Sequence, residues 1–404
     1  MGNLKFKVCI ILSILFIVFP FTAFSQTKAD KIRIGHAISL SGPATIGAKS
    51  MNQVYDLWIE EVNAKGGIYV KEYDKRLPIE LIRYDDKSDL GTMIKQMEKL
   101  VLDDKVNFLL PPFGTAFLYA AAPVANKHGY ILMGSTGGAI KLKEIISGLP
   151  YFFSVLNFAD TQMPVLADLL AEFGVKKAAI IYIADLHGIE YSSVVVPELG
   201  LKGIDVVMVN SYPPGIKDLS PLLKKAMALN ADAFLGFTYP AETVLVTRQA
   251  MEIGFNPKVF EVNVGSSGST TFKNALGADV VEGVIGPGGW NAKISPGAKE
   301  FVDKFVKRWN EEPEYWGTLQ WYSSLQFFQQ AIEKAGTLNQ KKIRDIMATE
   351  KFDTALGPFW FEKGFFANHP GAISQWQKGV FEIIGPKEKR TAVPIFPKPE
   401  WHKK

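Results

Sequence analysis

From Ile32 to Val262 the chain repeats one unit: a short apolar run, a turn rich in Gly, Ser, Pro or Asp, and a segment whose apolar residues recur every three or four positions. Short apolar runs bounded by turn residues read as strands, and the three-to-four step reads as an amphipathic helix. Successive strands separated by a helix, at about 25 to 30 residues per unit, pair in parallel and need helices on both faces of the sheet. This constrains the fold more than any other feature: an α/β chain with doubly wound parallel sheets.

The first unit shows the pattern most completely. Ile32, Ile34 and Ile38 alternate, the turn Ser39 to Pro43 follows, and Met51, Val54, Tyr55, Trp58 and Val62 mark a helix closed by Gly66-Gly67. Ile79 to Tyr84 is the next strand, followed by Asp85-Asp86. Ser88 or Asp89 can cap a helix carrying Leu90, Met93, Ile94, Met97, Leu100 and Val101. Val106 to Leu110, apolar apart from Asn107, and Tyr130 to Met133 are buried strands, with a helix through Ala121 between them ending near His128-Gly129. The rhythm then restarts. Strands at Tyr151 to Val155, Ala178 to Ile183, Ile204 to Val209, Ala233 to Phe237 and Val259 to Val262 alternate with helices over Asp160 to Phe173, from Ile189, Leu219 to Leu229 and Glu242 to Ile253. Two sheets of one kind in tandem are the simplest account. Beyond Val280, helices at Ala298 to Asn310, Thr318 to Ala335 and Lys341 to Ala348 follow without strands between them. A Gly- and aromatic-rich stretch, Phe352 to Phe366, and a strand at Val380 to Ile384 come next. Residues 385–404, rich in Pro and Lys, are expected to lie loosely on the surface.

The N-terminus carries the sharpest compositional signal. Lys5 and Lys7 precede an uncharged run from Val8 to Phe24, and Ala23-Phe24-Ser25 has the small-x-small form of a signal peptidase site. Residues 1–25 read as a removed secretory signal. The rival is a membrane anchor, since the run reaches the roughly 17 residues a span requires; Pro20 and the small residues at 23 and 25 favour cleavage. The only cysteine, Cys9, lies in this signal, so the mature chain has no thiol for disulfides, zinc or nucleophilic catalysis. The formal charge of +4 loses Lys5 and Lys7 to leave +2, which is no nucleic-acid signature.

Several short stretches now matter together: Leu40-Ser41-Gly42-Pro43 after the first strand, Glu61-Val62-Asn63-Ala64-Lys65-Gly66-Gly67 ending the first helix, Tyr84-Asp85-Asp86, Pro123-Val124-Ala125, Tyr239-Pro240 with Arg248-Gln249-Ala250, Gly254-Phe255 and Glu282-Gly283. Their order and spacing resemble the substrate-binding proteins of ABC importers in the leucine/isoleucine/valine-binding family, the type I periplasmic binding fold. The resemblance covers nearly the whole mature chain. It implies two Rossmann-like lobes joined by a three-strand hinge, closing on a ligand between them. Residues 30–155 with 285–354 would form the first lobe, and 156–284 with 355–404 the second.

The resemblance also implies where a ligand sits. In the first lobe, hydroxyls and backbone N–H groups of the turns after the third and fourth strands hold a ligand carboxylate; here those turns offer Gly114-Thr115 and Ser135-Thr136-Gly137-Gly138, with Ser41 in the turn after the first strand. Glycines admit close backbone approach, and helix-start N–H groups solvate an anion without a fixed cation. Hydroxyls in such turns also cap the next helix in most proteins. In the second lobe the family's usual wall tyrosine is replaced by His187-Gly188, while Thr238 or Tyr239 falls at the second wall position. Amino-acid binders place a carboxylate after the fifth strand of this lobe to pair with the ligand ammonium. This chain has Asn263-Val264-Gly265-Ser266-Ser267 there and no acid until Asp279, though Glu261 sits at the strand end, so Val264 and Gly265 would face the ligand, and a carboxylate without a required ammonium, or an amide, is the expected preference. Phe113, Phe117, Trp290, Trp316, Trp321 and Tyr322 could supply apolar wall, one or two of them facing the cleft and Trp290 first among them.

Enzyme readings fare worse. Gly134 to Gly138 and Gly265 to Gly268 imitate a nucleophile elbow without a full G-x-S-x-G, no phosphate loop follows a strand, and His36, His128, His187, His369 and His402 have no metal-ligand spacing. A secreted hydrolase is the weakest alternative. The expectation is a non-enzymatic, monomeric, periplasmic or otherwise extracytoplasmic binding protein. It would have no metal and no cofactor, and would bind no nucleic acid. It would capture an amino acid or related small carboxylate and present its closed form to an ABC permease in the inner membrane. A sensor that reports the ligand to a membrane receptor is the rival within the same fold.

Overall fold

A computed structural model of the chain describes Met1 and residues 29–401 apart from 139, 157 and 369–370. The expected signal, Cys9, His369 and His402 lie outside the described residues. The strand Ile32–Ile38 pairs in parallel with Ile79–Asp85 on one side and Phe108–Leu110 on the other. Beside these lie Leu132–Gly134 and Phe152–Ser154, paired in parallel with Leu132 opposite Phe152. The first helix, Thr45–Ala64, buries the expected Met51, Val54, Tyr55, Trp58 and Val62.

A second sheet of seven strands runs in the order 380–385, 373–377, 285–287, 259–261, 233–237, 177–183, 205–212. Its five strands from 177 to 287 are parallel, and Ile373–Gln377 and Val380–Gly385 add an antiparallel edge. The chain therefore passes between two α/β lobes three times: after Phe152–Ser154, after Ile285–Pro287, and between Phe365–Phe366 and Ile373–Gln377.

Strand pairing moves the expected lobe boundaries. Ile285 pairs with Glu261 and Gln375 in the second sheet, while Phe365 pairs with Ser154 of the first lobe. The cause is aromatic packing. Phe359 and Phe361 lie 5.3 Å from the Phe327 ring in helix Thr318–Ala335, and Phe359 stacks on Phe366 at 3.9 Å, which holds 357–366 to the first lobe.

The C-terminal tail is also not loose. Trp401 packs edge-on against Phe260 at 5.3 Å and donates its indole N–H to the Phe255 carbonyl, and the Lys398 N–H donates to the Lys258 carbonyl. Phe396 stacks on Phe173 at 4.6 Å. Two short strands, Ile68–Val70 and Lys75–Leu77, form a hairpin that the periodicity does not disclose. No helix of the described residues is long and apolar enough to cross a membrane.

Candidate functional site

Three helices begin at the cleft between the lobes, and each start has a local cause. The helix Thr115–Lys127 follows Gly114, whose φ of 104° is left-handed and turns the strand end sharply into the helix. Beneath that turn, His36 places its Nε2 3.2 Å from the Pro111 carbonyl. Burial, aided by Arg83, holds the His36 pKa well below its usual value, so it is a neutral structural group. The helix Leu186–Leu201 starts three residues earlier than the apolar period suggests. Asp185 caps it by accepting from the Gly188 N–H at 3.0 Å. A Cβ at residue 188 would stand 2.0 Å from the Ile183 carbonyl oxygen, so glycine there lets the helix begin hard against the strand and sets His187 over the strand end. The helix Pro240–Glu252 opens after Tyr239 with proline in its first turn.

Between these helix starts lies a cavity of about 570 Å³, a figure that includes solvent at its mouth. Gly114, Thr115, Thr136 and Phe113 face it from the first lobe, and His187, Tyr239, Val264 and Gly265 from the second. Among the described residues no lysine or arginine lines it. The dipoles of the helix starts favour an anionic group there, while the Gly114 and Gly188 N–H groups are already donated to Thr136 and Asp185.

Its polar groups are set by packing. The His187 ring stacks on Tyr239 at 4.9 Å and leans on Tyr191 at 4.7 Å. Burial lowers the His187 pKa, with Asp185 and Asn263 pulling the other way, and its Nε2 has no partner among the described residues. The Tyr239 phenol lies within reach of Asp185 and Thr115, and burial, then the Asp185 charge, raises it well above its ordinary range. It is thus a neutral hydroxyl between the two lobes.

The remaining expected residues fall elsewhere. Ser41 is exposed and donates to Asp85 at 2.6 Å. That hydroxyl and the N–H groups of Lys87, Leu40 and Ser41 hold the Asp85 carboxyl at about 2, so this pair clasps the opening loop. The Ser135 hydroxyl donates to the Met133 carbonyl at 3.1 Å, and its own carbonyl receives the Trp321 indole N–H at 2.5 Å. Gly137 packs on Leu142 while its neighbour Gly138 lines the cavity. The Thr238 hydroxyl pairs with Thr243 at 2.6 Å. Thr136 does line the cavity, but its proton goes to the Pro112 carbonyl at 3.0 Å and it accepts from the Gly114 N–H at 3.1 Å, so it joins two turns rather than donating inward. Trp290 is fully buried, 5.0 Å from Tyr315 and 5.7 Å from Phe301, in the packing behind the cavity. Of the six aromatics, Phe113, Trp316 and Trp321 form the wall, while Phe117 borders a neighbouring groove.

Tyr191, Ser50 and Glu314 line the cavity without having been singled out by sequence pattern. Glu314 also removes the premise that the turn Asn263 to Ser267 has no acid beside it: its carboxylate lies 3.1 Å from the Ser267 hydroxyl. Among the described residues no group of three or more His, Cys, Asp or Glu side chains is arranged to hold a metal.

Comparison with known proteins bears on what such a cavity is for. The family model described as "Periplasmic binding protein" matches residues 31–380. The Leucine-, isoleucine-, valine-, threonine-, and alanine-binding protein of Pseudomonas aeruginosa is 25 % identical over 362 residues, 89 % of this chain and 93 % of that protein. Among solved structures, the branched-chain amino acid transporter substrate-binding protein LivJ from Streptococcus pneumoniae, in complex with isoleucine, superposes with a TM-score of 0.77 at 21 % identity, covering 88 % of this chain and all of that one (100 %). A solute-binding protein of an ABC transporter from Rhodopseudomonas palustris, in complex with 3,4-dihydroxy benzoic acid, gives 0.73 at 19 % identity, covering 93 % and 98 %.

Proposed function

The chain belongs to the type I periplasmic binding proteins of the Leu/Ile/Val-binding family, and we propose that it captures a small carboxylate or amino-acid-like solute between its lobes and delivers it to an ABC permease. The observation that carries this reading is the convergence of the Gly114-Thr115 helix start with His187 and Tyr239 of the opposite lobe on one cavity that no lysine or arginine of the described residues lines. Such a site solvates a carboxylate through N–H groups, a hydroxyl and helix dipoles, and its aromatic wall of Phe113, Trp316 and Trp321 takes the apolar body. The ligands named for these relatives, aliphatic amino acids and threonine on one side and a dihydroxybenzoic acid on the other, share the carboxyl group.

In this reading 30–155 with 288–366 move as one lobe and 156–287 with 373–401 as the other, and the ligand favours the closed form because only there does it touch both. The protein acts as a monomer outside the cytoplasm, exported through cleavage of residues 1–25, and performs no chemistry on its solute. Thermal-shift screening followed by isothermal titration against amino acids, aliphatic acids and aromatic acids tests this. At least one class should raise the melting temperature and bind at one site per chain; no response to any of the three refutes it.

A further inference from the structure

The chain between the helices Pro296–Trp309 and Thr318–Ala335 belongs to the first lobe by sequence and to the second by contact. Both flanking helices are tied to the first helix, Thr45–Ala64: Arg308 pairs with Glu60 at 2.7 Å, Lys304 with Glu61 at 3.0 Å, and the Tyr322 hydroxyl donates to Glu61. Asn310, left-handed at a φ of 53°, ends the earlier of the two. Glu311 still faces the first lobe, pairing with Lys49 at 2.8 Å. From Glu312 the contacts change sides. Glu312 pairs with Lys273 at 2.8 Å, the Ser269 hydroxyl donates to the Pro313 carbonyl at 3.0 Å, the Ser267 hydroxyl to the Glu314 carboxylate at 3.1 Å, and the Tyr315 N–H to the Ser267 carbonyl at 2.9 Å. The Tyr315 ring lies 6.1 Å from Trp376 and 6.2 Å from Phe381 of the second sheet. The segment returns to the first lobe at Trp316, whose ring meets Trp321 edge-on at 5.9 Å where both line the cavity.

Lys273 anchors this crossing. It is 8 % exposed, its ammonium stands 5.3 Å from the centre of the Trp376 ring and donates to the Gly379 carbonyl at 3.3 Å, and among the described residues Glu312 is its one ion-pair partner. With the lobes together, the ammonium is out of water and its compensating carboxylate comes from the other lobe. With the lobes apart, water solvates both charges. Removing the acid alone therefore leaves an uncompensated buried charge in the closed arrangement and a hydrated one in the open, which makes closure costly, whereas removing both charges does not. The partial exposure of Glu312 reduces the effect without changing its sign. Lys273, Glu312, Ser269 and Pro313 do not line the cavity, so the contact acts independently of what the cavity holds.

We propose that 310–317 is a strap by which the first lobe grips the second, with Lys273 as its positioning residue: the Lys273–Glu312 pair holds the lobes together and sets Trp316 in the cavity wall without touching the solute. The effect on affinity rests on the reading of the cavity as the solute site; the grip between the lobes does not.

The test compares the wild type, Glu312→Gln, and the double variant Lys273→Met with Glu312→Gln, in which methionine keeps an apolar contact for Trp376 and removes the charge. Small-angle scattering without added solute should give a larger radius of gyration for Glu312→Gln than for the wild type, and the double variant should return to the wild-type value. Equal radii in the wild type and Glu312→Gln, a double variant as expanded as the single one, or an expansion that comes with lost near-UV circular dichroism, and so with unfolding, would each overturn the strap. Titration with isoleucine and with 3,4-dihydroxybenzoate supplies the second readout. A solute that binds the wild type should bind Glu312→Gln at least about tenfold more weakly and the double variant within about threefold of the wild type. Unchanged affinity in Glu312→Gln overturns the positioning role. Binding of neither compound to the wild type counts against the solute-binding reading, and the scattering comparison then decides the strap by itself.

Discussion

Replacing Glu261 by Gln should change how stability depends on pH. Glu261 ends the strand Val259–Glu261, is fully buried, and its Oε2 has no partner among the described residues. Burial raises its carboxyl from 4.5 to about 8, against smaller opposing pulls from the Asn263 side chain and the Gly236 and Asn263 backbone. The folded value lies above the unfolded one, so the folded chain holds a proton that the unfolded chain releases. The stability this confers is fully present below pH 4.5 and is lost as pH rises to about 8. One pKa unit is worth about 1.4 kcal/mol, so the wild type should lose on the order of 3 to 4 kcal/mol between pH 5 and pH 8 from this group. Glutamine cannot titrate and carries no such slope. Glu314, raised to about 7, adds a slope of the same sign to both proteins, which cancels in the difference. Urea unfolding of wild type and Glu261→Gln at pH 5, 6, 7 and 8, with equal m-values, reads the quantity directly. The variant should gain on the wild type with each step. Parallel curves across this range would refute a buried, neutral Glu261.

Other substitutions separate cavity from scaffold. Thr115→Val should weaken solute binding by about tenfold, the worth of one hydrogen bond, and cost roughly 1 kcal/mol of stability because the Tyr239 phenol loses its Thr115 partner; unchanged affinity by titration would remove Thr115 from the site. Trp321→Phe leaves the Ser135 carbonyl without its indole donor, and should cost roughly 1 to 3 kcal/mol in urea unfolding as well as altering affinity. Trp401→Ala should cost on the order of 2 kcal/mol by releasing the tail from Phe260 and Phe255, yet leave the solute dissociation constant unchanged. A loss of binding in that variant would tie the tail to the cleft.

The architecture was legible because the strand and helix periods are long and clean. The helix Thr318–Ala335 lies where its apolar period puts it, and the first strand and its helix bury the residues their patterns mark. Turns that cap helices were legible for the same reason, since Gly114-Thr115 and the His187-Gly188 pair sit at switch points of the sheet order. What the sequence withheld are contacts between distant segments. Glu314 and Ser267 are 47 residues apart, and nothing in either neighbourhood announces that they meet. Hydroxyls were overcounted because Ser41, Thr136 and Thr238 satisfy local groups first, as short polar side chains in turns do. Trp290 was expected at the cleft, whereas its ring packs inward on Phe301 and Tyr315. The tail's Pro and Lys content gave no hint that Trp401 has an aromatic partner on the second lobe.

The proposed function requires that one small solute is held between the lobes. A crystal structure of the protein with whichever solute most raises its melting temperature tests it most directly. Electron density is expected for one molecule per chain in the cavity, its carboxylate at the Gly114-Thr115 helix start and its body between Tyr239 and Trp321. Density for that solute on the outer surface of a lobe, with the cavity holding only water, would contradict it.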